Sequence, residues 1–485
     1  MTVSSASVSR TDGNIGFSAV SPRPPALVGC SSAGTAATAT EISTPDDLKG
    51  TFGRGPLVNL GLLYLELVGP FIACRAGTAS AGAAGSVTQA ATGTAALGVT
   101  GAPYDAFNVI VKVTRAGATL AALTAAVKVS LDGGLTYGPE IAVPSSGVIT
   151  PDDTNLTLTW TYSSGTAFVV DETYTFTCTA PTFDATTLAA ALDALEVTLL
   201  DHEYVHVVGA CSASLAGTVK TSIDSLVSQG IYRWFFCDAR DQNLGSSESI
   251  ATWQSSIQGD FASFTSDRGV VSAGACRIKD RITGARMRRS VGWAIGARLG
   301  SLSRAQGGAG PAEHPGMVAT GPLQFVEVES LVHDFRIYSG LDTYRFIGAQ
   351  TIPPRQAEGY FATERSMAAA GSDYSRVMHL RVIVEMERVA LHAITFYVNS
   401  NQEVLASGRL TPQTAADMNA FVTAKVVAGL TRANGVPLAT SIQALVNTTD
   451  NFAQTGQLRF TITGVPYGYA TTVTATVGFR LNTGS

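Results

Sequence analysis

The hydrophobic pattern of this chain changes twice, and the stretch between the two changes constrains the fold most. Within residues 76–182, large apolar residues recur at every second position, as in Val109 and Val111 or in Tyr174 and Phe176. A period of two residues is typical of β-strands with one buried face. The stretch therefore predicts an all-β module of about a hundred residues with a sandwich or barrel architecture.

The segments on either side of this module predict helices that alternate with strands. Before the module, the predicted elements are a strand at 26–30, helices at 46–52 and 57–67, and a strand at 70–75. Thr44 and Pro45 supply the N-cap and first-turn chemistry of the first helix. After the module, helices at 185–200, 215–229, 247–264 and 290–305 alternate with strands at 204–208, 232–237 and 269–275. This order favours a parallel or mixed sheet covered by helices.

We therefore expect a mixed multidomain fold that combines α/β and α+β parts. Residues 1–20 hold few large apolar groups and predict an N-terminal arm. Residues 21–75 and 183–362 predict a discontinuous α/β core, and residues 76–182 predict an inserted, sandwich-like β domain. Residues 363–485 predict an α+β C-terminal domain, with helices at 373–398 and 412–430 and strands at 458–463 and 471–481.

Charge is scarce in this chain and slightly acidic in balance. Charged residues make up 14% of the 485 residues, and the formal net charge is -5. Soluble domains average about 25% charged residues, so the composition favours surfaces that are buried against other copies of the protein. The net charge argues against a nucleic-acid partner. No apolar run reaches the length of a membrane helix, and the first residues lack the apolar core of a signal peptide, so we expect a cytosolic product without membrane insertion.

Six cysteines are spread through the chain without the close spacing of a zinc site. In a cytosolic protein they are expected to be buried free thiols. A particle released from its host meets an oxidising medium, so disulfides between subunits are a second interpretation. The residues concerned are Cys30, Cys74, Cys178, Cys211, Cys237 and Cys276.

No segment carries a nucleotide-binding signature, and no cofactor is expected. Neither a P-loop nor a Gly-x-Gly-x-x-Gly turn follows a predicted strand. His202, Glu203 and His206 spell H-E-x-x-H, which binds zinc when it lies on a helix. In the strand predicted here, residues four apart lie about 13 Å from one another, so we interpret one histidine as a loop residue and the other as a strand residue. A Ser–His–Asp arrangement stays open, although no Gly-x-Ser-x-Gly turn supports it.

A basic run occupies residues 277–289 and reads RIKDRITGARMRR. In a chain with so little charge, we interpret Arg286, Arg288 and Arg289 as electrostatic contacts with an acidic partner or a neighbouring subunit. A solvated hairpin or loop is the alternative.

Several segments together resemble the contractile phage tail sheath proteins. The start of the family's core domain is similar to ALVGCSSAGTAATATEISTPDDLKGTFGRGPL, and a β domain often inserted in these proteins is similar to VKVSLDGGLTYGPEIAV. The family's C-terminal domain and closing strand are similar to ERSMAAAGSDYSRVMHLRVIVEMERV and TTVTATVGFRL. The likeness spans nearly the whole chain in consistent order.

The resemblance implies a structural subunit and not an enzyme. Sheath subunits form six-fold rings that stack helically around an inner tail tube, and on triggering the sheath shortens and drives the tube through the host envelope without ATP. The implied partners are other copies of the chain, the tube protein, and the baseplate and tail terminator proteins. The implied location is the tail of a virion that is assembled in the host bacterial cytoplasm.

Terminal arms of such subunits exchange strands with neighbouring copies. A lone strand leaves backbone donors and acceptors unpaired until it joins another sheet. The positions that fit exchanged strands in this chain are Ile15, Phe17 and Ala19 near the start, and Val473, Ala475, Val477, Phe479 and Leu481 near the end. By family analogy, Lys425 and Arg432 in and after the helix at 412–430 are expected to contact the tube. Another tail or baseplate component, or an α/β enzyme with a β accessory domain, remains an alternative.

Overall fold

The computed structural model describes residues 23–90, 92–120, 124–162, 165–198, 200–304, 328–337, 340–352, 355–431 and 438–466. The predicted N-terminal arm, the predicted closing strand and Arg432 lie outside the described residues. The predictions made for those segments therefore stay predictions.

The described chain begins with an α/β unit. Its elements are β1 (Ala26–Gly29), β2 (Ala39–Ile42), α1 (Pro45–Phe52), α2 (Pro56–Leu67) and β3 (Phe71–Arg75). The hydroxyl of Thr44 accepts a hydrogen bond from the backbone N–H of Asp47 (3.2 Å) and caps α1 as predicted. β2 was not predicted, because only Ile42 of its four residues is buried and the apolar pattern is correspondingly weak.

Strands fill the region from 76 to 182, as the alternating pattern predicts. They are β4 (Thr88–Ala90), β5 (Ala96–Thr100), β6 (Phe107–Arg115), β7 (Ala126–Ser130), β8 (Ile141–Ala142), β9 (Val148–Ile149), β10 (Thr157–Thr161) and β11 (Thr173–Cys178). A five-stranded sheet (β4-β11-β6-β7-β8) and a three-stranded sheet (β5-β10-β9) enclose one apolar core. The chain enters and leaves this β module at a single point, where Ser80 bridges Thr182 and the N–H of Ala79 donates to the Thr182 carbonyl (2.8 Å).

The α/β unit resumes after the module and completes a six-stranded sheet. The elements are α3 (Ala185–Glu196), β12 (Tyr204–Ala210), α4 (Ala213–Ser228), β13 (Trp234–Asp238), α5 (Ile250–Phe261) and β14 (Gly269–Ser272). The strand order is β14-β13-β12-β1-β3-β2, in which all pairs are parallel except the edge pair of β2 and β3. Helices α3, α4 and α5 pack on one face of the sheet, and α1 and α2 pack on the other.

A hairpin and a glycine-rich helix follow the sheet. The next elements are β15 (Ala275–Lys279), β16 (Arg286–Ser290), α6 (Val291–Arg304), β17 (Ser330–Leu331), β18 (Ala349–Ile352) and β19 (Arg355–Phe361). Helix α6 shares the sheet face of α1 and α2. A Cβ at Gly292 would overlap the carboxylate of Asp238 and the hydroxyl of Ser272, and a Cβ at Gly296 would lie 2.6 Å from the hydroxyl of Tyr64. Glycine is required at these positions because α6 lies directly on buried polar side chains.

The C-terminal part contains two long helices and a hairpin. Its elements are α7 (Val377–Thr395), α8 (Pro412–Gly429), β20 (Ala439–Val446), α9 (Phe452–Thr455) and β21 (Phe460–Pro466). One side of α7, including Leu380 and Val384, belongs to the core of the α/β sheet. Its other side, including Val389, packs with α8 and the hairpin. Helix α7 is therefore shared between the sheet and the C-terminal part.

Candidate assembly surfaces

The hairpin of β20 and β21 lies over α7 and α8 and forms a two-stranded sheet. In its register Leu445 faces Thr461 and Gln443 faces Thr463. Phe460 and Ile462 turn towards the helices and join their apolar cluster. A two-stranded sheet has two outer edges, and each edge presents backbone N–H and C=O groups that can pair with a further strand.

Side chains of α8 close part of the outer edge of β20. The N–H of Ala444 donates to Oγ1 of Thr423 (2.9 Å), and the N–H of Val446 donates to Oδ1 of Asn419 (2.6 Å). Asn419 and Thr423 are four residues apart and so lie on the same face of the helix. Sequence reasoning missed both, although polar residues at this spacing on a predicted amphipathic helix are the available signal. Among the described residues, β21 pairs with β20 alone.

Helix α8 carries the predicted tube-contact residue Lys425. Its inner side buries Met418, Val422 and Val426. The ammonium of Lys425 lies 5.5 Å from the ring centroid of Phe421, which places the cation on the half-buried side of the helix beside an aromatic face. Val427 is 37% exposed, and it lies on a different side of the helix because residues two apart do not share a face.

The basic run forms the β15–β16 hairpin, and all three of its predicted contact residues have partners within the chain. Nη2 of Arg289 donates to Oδ2 of Asp105 in the β module (2.8 Å), and this pair is almost fully buried. Arg288 donates from Nε (2.5 Å) and Nη2 (2.9 Å) to the carboxylate of Asp241. Only Arg286 has a side chain more than half exposed, beside Glu329 at 3.2 Å. The contact of Arg286, Arg288 and Arg289 with a neighbouring subunit stays a prediction, and Arg286 is the most exposed of the three.

The pair of Arg289 and Asp105 fastens the β module to the core. Burial raises the pKa of the Asp105 carboxyl, and the nearby guanidinium of Arg289 opposes that shift. Asn59 of α2 donates to the same carboxylate (2.5 Å). The backbone N–H of Arg286 donates to Oδ2 of Asp132, a second link between the hairpin and the module (2.9 Å). The basic run thus holds the module in place from the core side.

All six cysteines are free and buried in the described structure. Burial raises the pKa of Cys30 to about 11 and those of Cys74 and Cys178 to about 12. The expectation of buried free thiols is confirmed for a single subunit. A disulfide between subunits, which involves a second chain, stays a prediction, and it would first require one of these side chains to reach the surface.

The H-E-x-x-H residues have separate partners in the fold. His202 precedes β12, and its Nε2 lies 2.9 Å from Nη1 of Arg233. Glu203 accepts from Nε of Arg381 (2.8 Å). His206 lies within β12, and its Nδ1 is 2.9 Å from the hydroxyl of Tyr64. The strand interpretation is confirmed, and within the described ranges no group of three or more His, Cys, Asp or Glu side chains is placed to hold a metal.

A Ser–Asp–His contact exists, but its order differs from that of a catalytic triad. Ser272 donates to Oδ1 of Asp238 (2.7 Å), and Nε2 of His206 lies 3.5 Å from Oδ2 of the same carboxylate. A nucleophilic serine must bond to the imidazole, whereas here the carboxylate stands between the two. All three side chains are buried and α6 covers them, so the arrangement is a structural one.

The N-terminus of α4 follows β12, at the edge of the sheet where doubly wound folds bind phosphate. The backbone N–H of Ala213 donates to Oδ2 of Asp260 from α5 (3.0 Å), and the hydroxyl of Ser212 accepts from the N–H of Leu215 (3.3 Å). The protein's own carboxylate therefore takes the place of an anion. Separately, none of the helices in the described part of the chain has the length and hydropathy needed to cross a membrane.

Solved structures with a similar overall fold include contractile sheath proteins. The sheath complex of an extracellular contractile injection system (PVC, contracted state) aligns with a TM-score of 0.53 at 10% identity, covering 99% of each chain. The contracted helical sheath of the anti-feeding prophage aligns with a TM-score of 0.51 at 9% identity, covering 96% of this chain and 95% of the other. A sheath tail protein from Listeria innocua aligns at 0.45 and 11% identity, covering 92% and 96%.

The chain therefore has the fold of the sheath proteins of contractile tails and injection systems. No curated protein matches its sequence. The model of the DUF2586 N-terminal domain matches residues 3–364, and the chain belongs to the DUF2586 family.

Proposed function

We propose that this protein is the structural subunit of a contractile sheath. Copies would polymerise as stacked six-fold rings around an inner tube, and the sheath would shorten and drive the tube through a host envelope. The observation that carries the proposal is the alignment with a contracted sheath complex over 99% of both chains. The implied partners are further copies of the chain, a tube protein, and baseplate and terminator proteins within a virion assembled in the bacterial cytoplasm. No cofactor is part of this proposal.

Strand exchange is the proposed way in which copies join. Strand β21 ends at Pro466, and the alternating sequence at 471–481 follows after four residues. That sequence cannot satisfy its own backbone groups as a single strand. The outer edge of β21 is a suitable acceptor because its only strand partner in the described chain is β20. Donated strands at 15–19 and 473–481 from neighbouring copies would complete such sheets.

Helix α8 is the proposed contact with the tube, with Lys425 and Arg432 as the cationic groups. Support comes from α8, where the ammonium of Lys425 lies beside the ring of Phe421 and so combines a cation with an aromatic face. An acidic patch on the tube protein would complement the two cations. A different tail or baseplate component remains the second candidate, since such proteins could share this fold.

Negative-stain electron microscopy of the purified protein tests the proposal. Tubular or striated polymers are the expected result, and a stable monomer that turns over an ester or nucleotide would contradict it. Deleting residues 1–20 or 470–485 should abolish polymers and leave a folded subunit, as judged by circular dichroism. If the truncated chains still form tubes, the strand-exchange proposal is wrong.

A point variant sharpens the same test. Val477→Pro removes a backbone donor from the predicted closing strand, whereas Val477→Thr keeps that donor and a β-branched side chain. We expect polymers from the threonine variant and few or none from the proline variant. Equal polymerisation of both variants would show that the 473–481 segment does not pair as a strand.

A further inference from the structure

Arg23 is the first described residue after the N-terminal segment, and its guanidinium is buried where the sheet meets α7. The side chain is 8% exposed. Nη1 donates to the carbonyl oxygens of His202 (3.1 Å) and Tyr232 (3.3 Å). Nη2 donates to Oε2 of Glu385 on α7 (3.1 Å). The Arg23 side chain thus links the start of the described chain to the segments before β12 and β13 and to helix α7.

The backbone around Arg23 is restricted by its sequence. Prolines occupy positions 22, 24 and 25. A proline ring fixes its own φ, and a residue that precedes a proline is confined to extended conformations. Because Arg23 precedes Pro24, its backbone is restricted as well as its guanidinium, and the start of the described chain is fixed at this point.

The described chain also ends beside this helix. A Cβ placed at Gly464, two residues before the end of β21, would lie 3.6 Å from Sδ of Met386. Phe460 and Ile462 of β21 pack in the same cluster as Met386. Met386 directly follows Glu385, so both exits of the described chain lie against adjacent residues of α7.

Further ion pairs fix α7 to the sheet. Nε of Arg381 donates to Oε1 of Glu203 (2.8 Å), and Nη2 of Arg268 donates to Oε2 of Glu387 (2.6 Å). The hydroxyl of Tyr374 donates to Oε1 of Glu387 (2.8 Å). Arg381 and Glu387 lie on successive turns of α7. Their two ion pairs hold the helix in one orientation on the sheet.

We propose that Arg23 is a positioning residue that sets the exit of the N-terminal segment against α7, so that both exchanged segments of a subunit depart from one rigid helix. This inference rests on the proposed function, since the exit geometry acts only when the segments reach neighbouring copies. The distance between the two exits then stays constant while the subunit turns as a rigid body. The links between rings are therefore kept at fixed spacing by α7 and not by the β module.

Spin-label distances in the isolated subunit test the assignment. The native thiols are buried, so labels attach selectively at Ser21→Cys and at Thr395→Cys on the exposed end of α7. The test variants are Arg23→Met, which keeps the apolar stem, and Glu385→Gln, which leaves the chain near the label unchanged. In Arg23→Met, Glu385 still accepts a hydrogen bond from Arg388, whose Nε lies 3.1 Å from Oε1 of Glu385. The carboxylate of Glu385 therefore keeps a cationic partner. Arg54→Met is the control, because Arg54 pairs with Asp153 (2.6 Å) away from α7.

We expect a narrow distance distribution for the unmodified subunit and for the Arg54→Met control. In both test variants the released segment should give a distribution about two-fold wider. If both test variants give distance distributions as narrow as that of the control, the assignment is wrong. If Arg23→Met fails to fold, the result for Glu385→Gln decides. Polymerisation of the same proteins is scored separately by electron microscopy. A parent chain without polymers would overturn the proposed function, while the distances would still decide the role of Arg23.

Discussion

Arg381 of α7 and Glu203 at the start of β12 form an ion pair across 2.8 Å in the interior of the protein. The arginine side chain is fully buried and the glutamate side chain is 10% exposed. The guanidinium also lies 6.0 Å from the ring centroid of Trp234. This pair joins residues 178 positions apart, and it explains why an acidic residue stands in the middle of an H-E-x-x-H sequence that holds no metal cluster in the described chain.

Removing the cation of this pair should destabilise the subunit strongly. In Arg381→Met the buried carboxylate of Glu203 loses the guanidinium that faces it, and removal of one member of a buried ion pair costs about 3–5 kcal/mol. The control is Arg459→Met, because Arg459 pairs with Asp450 at the surface and is 64% exposed, where a pair is worth about 0–1 kcal/mol. Urea denaturation measures both free energies of unfolding. Similar losses in the two variants would contradict the structural role of the buried pair.

Two glycine substitutions should act in opposite directions. Gly292→Ala puts a methyl group into the space of Asp238 and Ser272, and such overpacking costs about 1–3 kcal/mol. Gly217 lies within α4, and a Cβ there would meet no atom within 4 Å. Gly217→Ala should therefore stabilise the subunit by about 0.5–1 kcal/mol through helix propensity. Thermal unfolding of the two variants checks the sign of each change.

The sequence predicts the elements whose pattern is local and misses those that depend on distant contacts. The alternation around Val109 predicts β6, and the N-cap at Thr44 predicts the start of α1, because both signals lie within a few residues. Strand β20 was missed because its edge is completed by Asn419 and Thr423 of another element. The pairing of Arg289 within the chain was not predicted either. Its partner, Asp105, lies 184 positions away in the chain, and sequence spacing gives no sign of that pairing.

Acid should destabilise the subunit through His202. Burial and the neighbouring Arg233 lower the pKa of this histidine well below its ordinary value of 6.5, so the folded state keeps it neutral while the unfolded chain binds a proton. The contribution of neutral His202 to the free energy of unfolding is therefore complete above the pKa that this histidine has in the unfolded chain. That contribution is lost as the pH falls below this pKa. Below the unfolded pKa, one such group removes at most about 1.4 kcal/mol per pH unit. His202→Gln should reduce the pH dependence of the free energy of unfolding by that amount, and an unchanged dependence would contradict the prediction.

Excision of the β module should leave assembly intact. Ser80 and Thr182 are bridged, so a short Gly/Ser linker can replace residues 81–181 without moving the core. Met287 of the hairpin packs in the module's apolar core and becomes exposed, so the excised chain should also carry Met287→Gln. We expect polymers of similar length by electron microscopy. Loss of all polymers, with the core still folded, would show that the module takes part in contacts between copies.

The six thiols should be inert in the folded subunit. Only the thiolate reacts readily. Burial raises the pKa values of Cys30, Cys74 and Cys178 and blocks access to all six thiols. Titration with a chromogenic disulfide should therefore detect none of them in native protein and all six after denaturation. Non-reducing electrophoresis of intact particles addresses the prediction of disulfides between subunits. Bands of monomer size alone would exclude such covalent links.

The bridge between Ser80 and Thr182 has a consequence for engineering. The two ends of the β module, about a hundred residues apart in the chain, lie next to each other at this bridge. Domain insertion requires such adjacent ends. A guest domain with adjacent termini can be grafted there, and a periodic polymer would then display it at one copy per subunit. In the proposed polymer, the spacing of the guests would be set by the positions of the subunits instead of by a chemical linker.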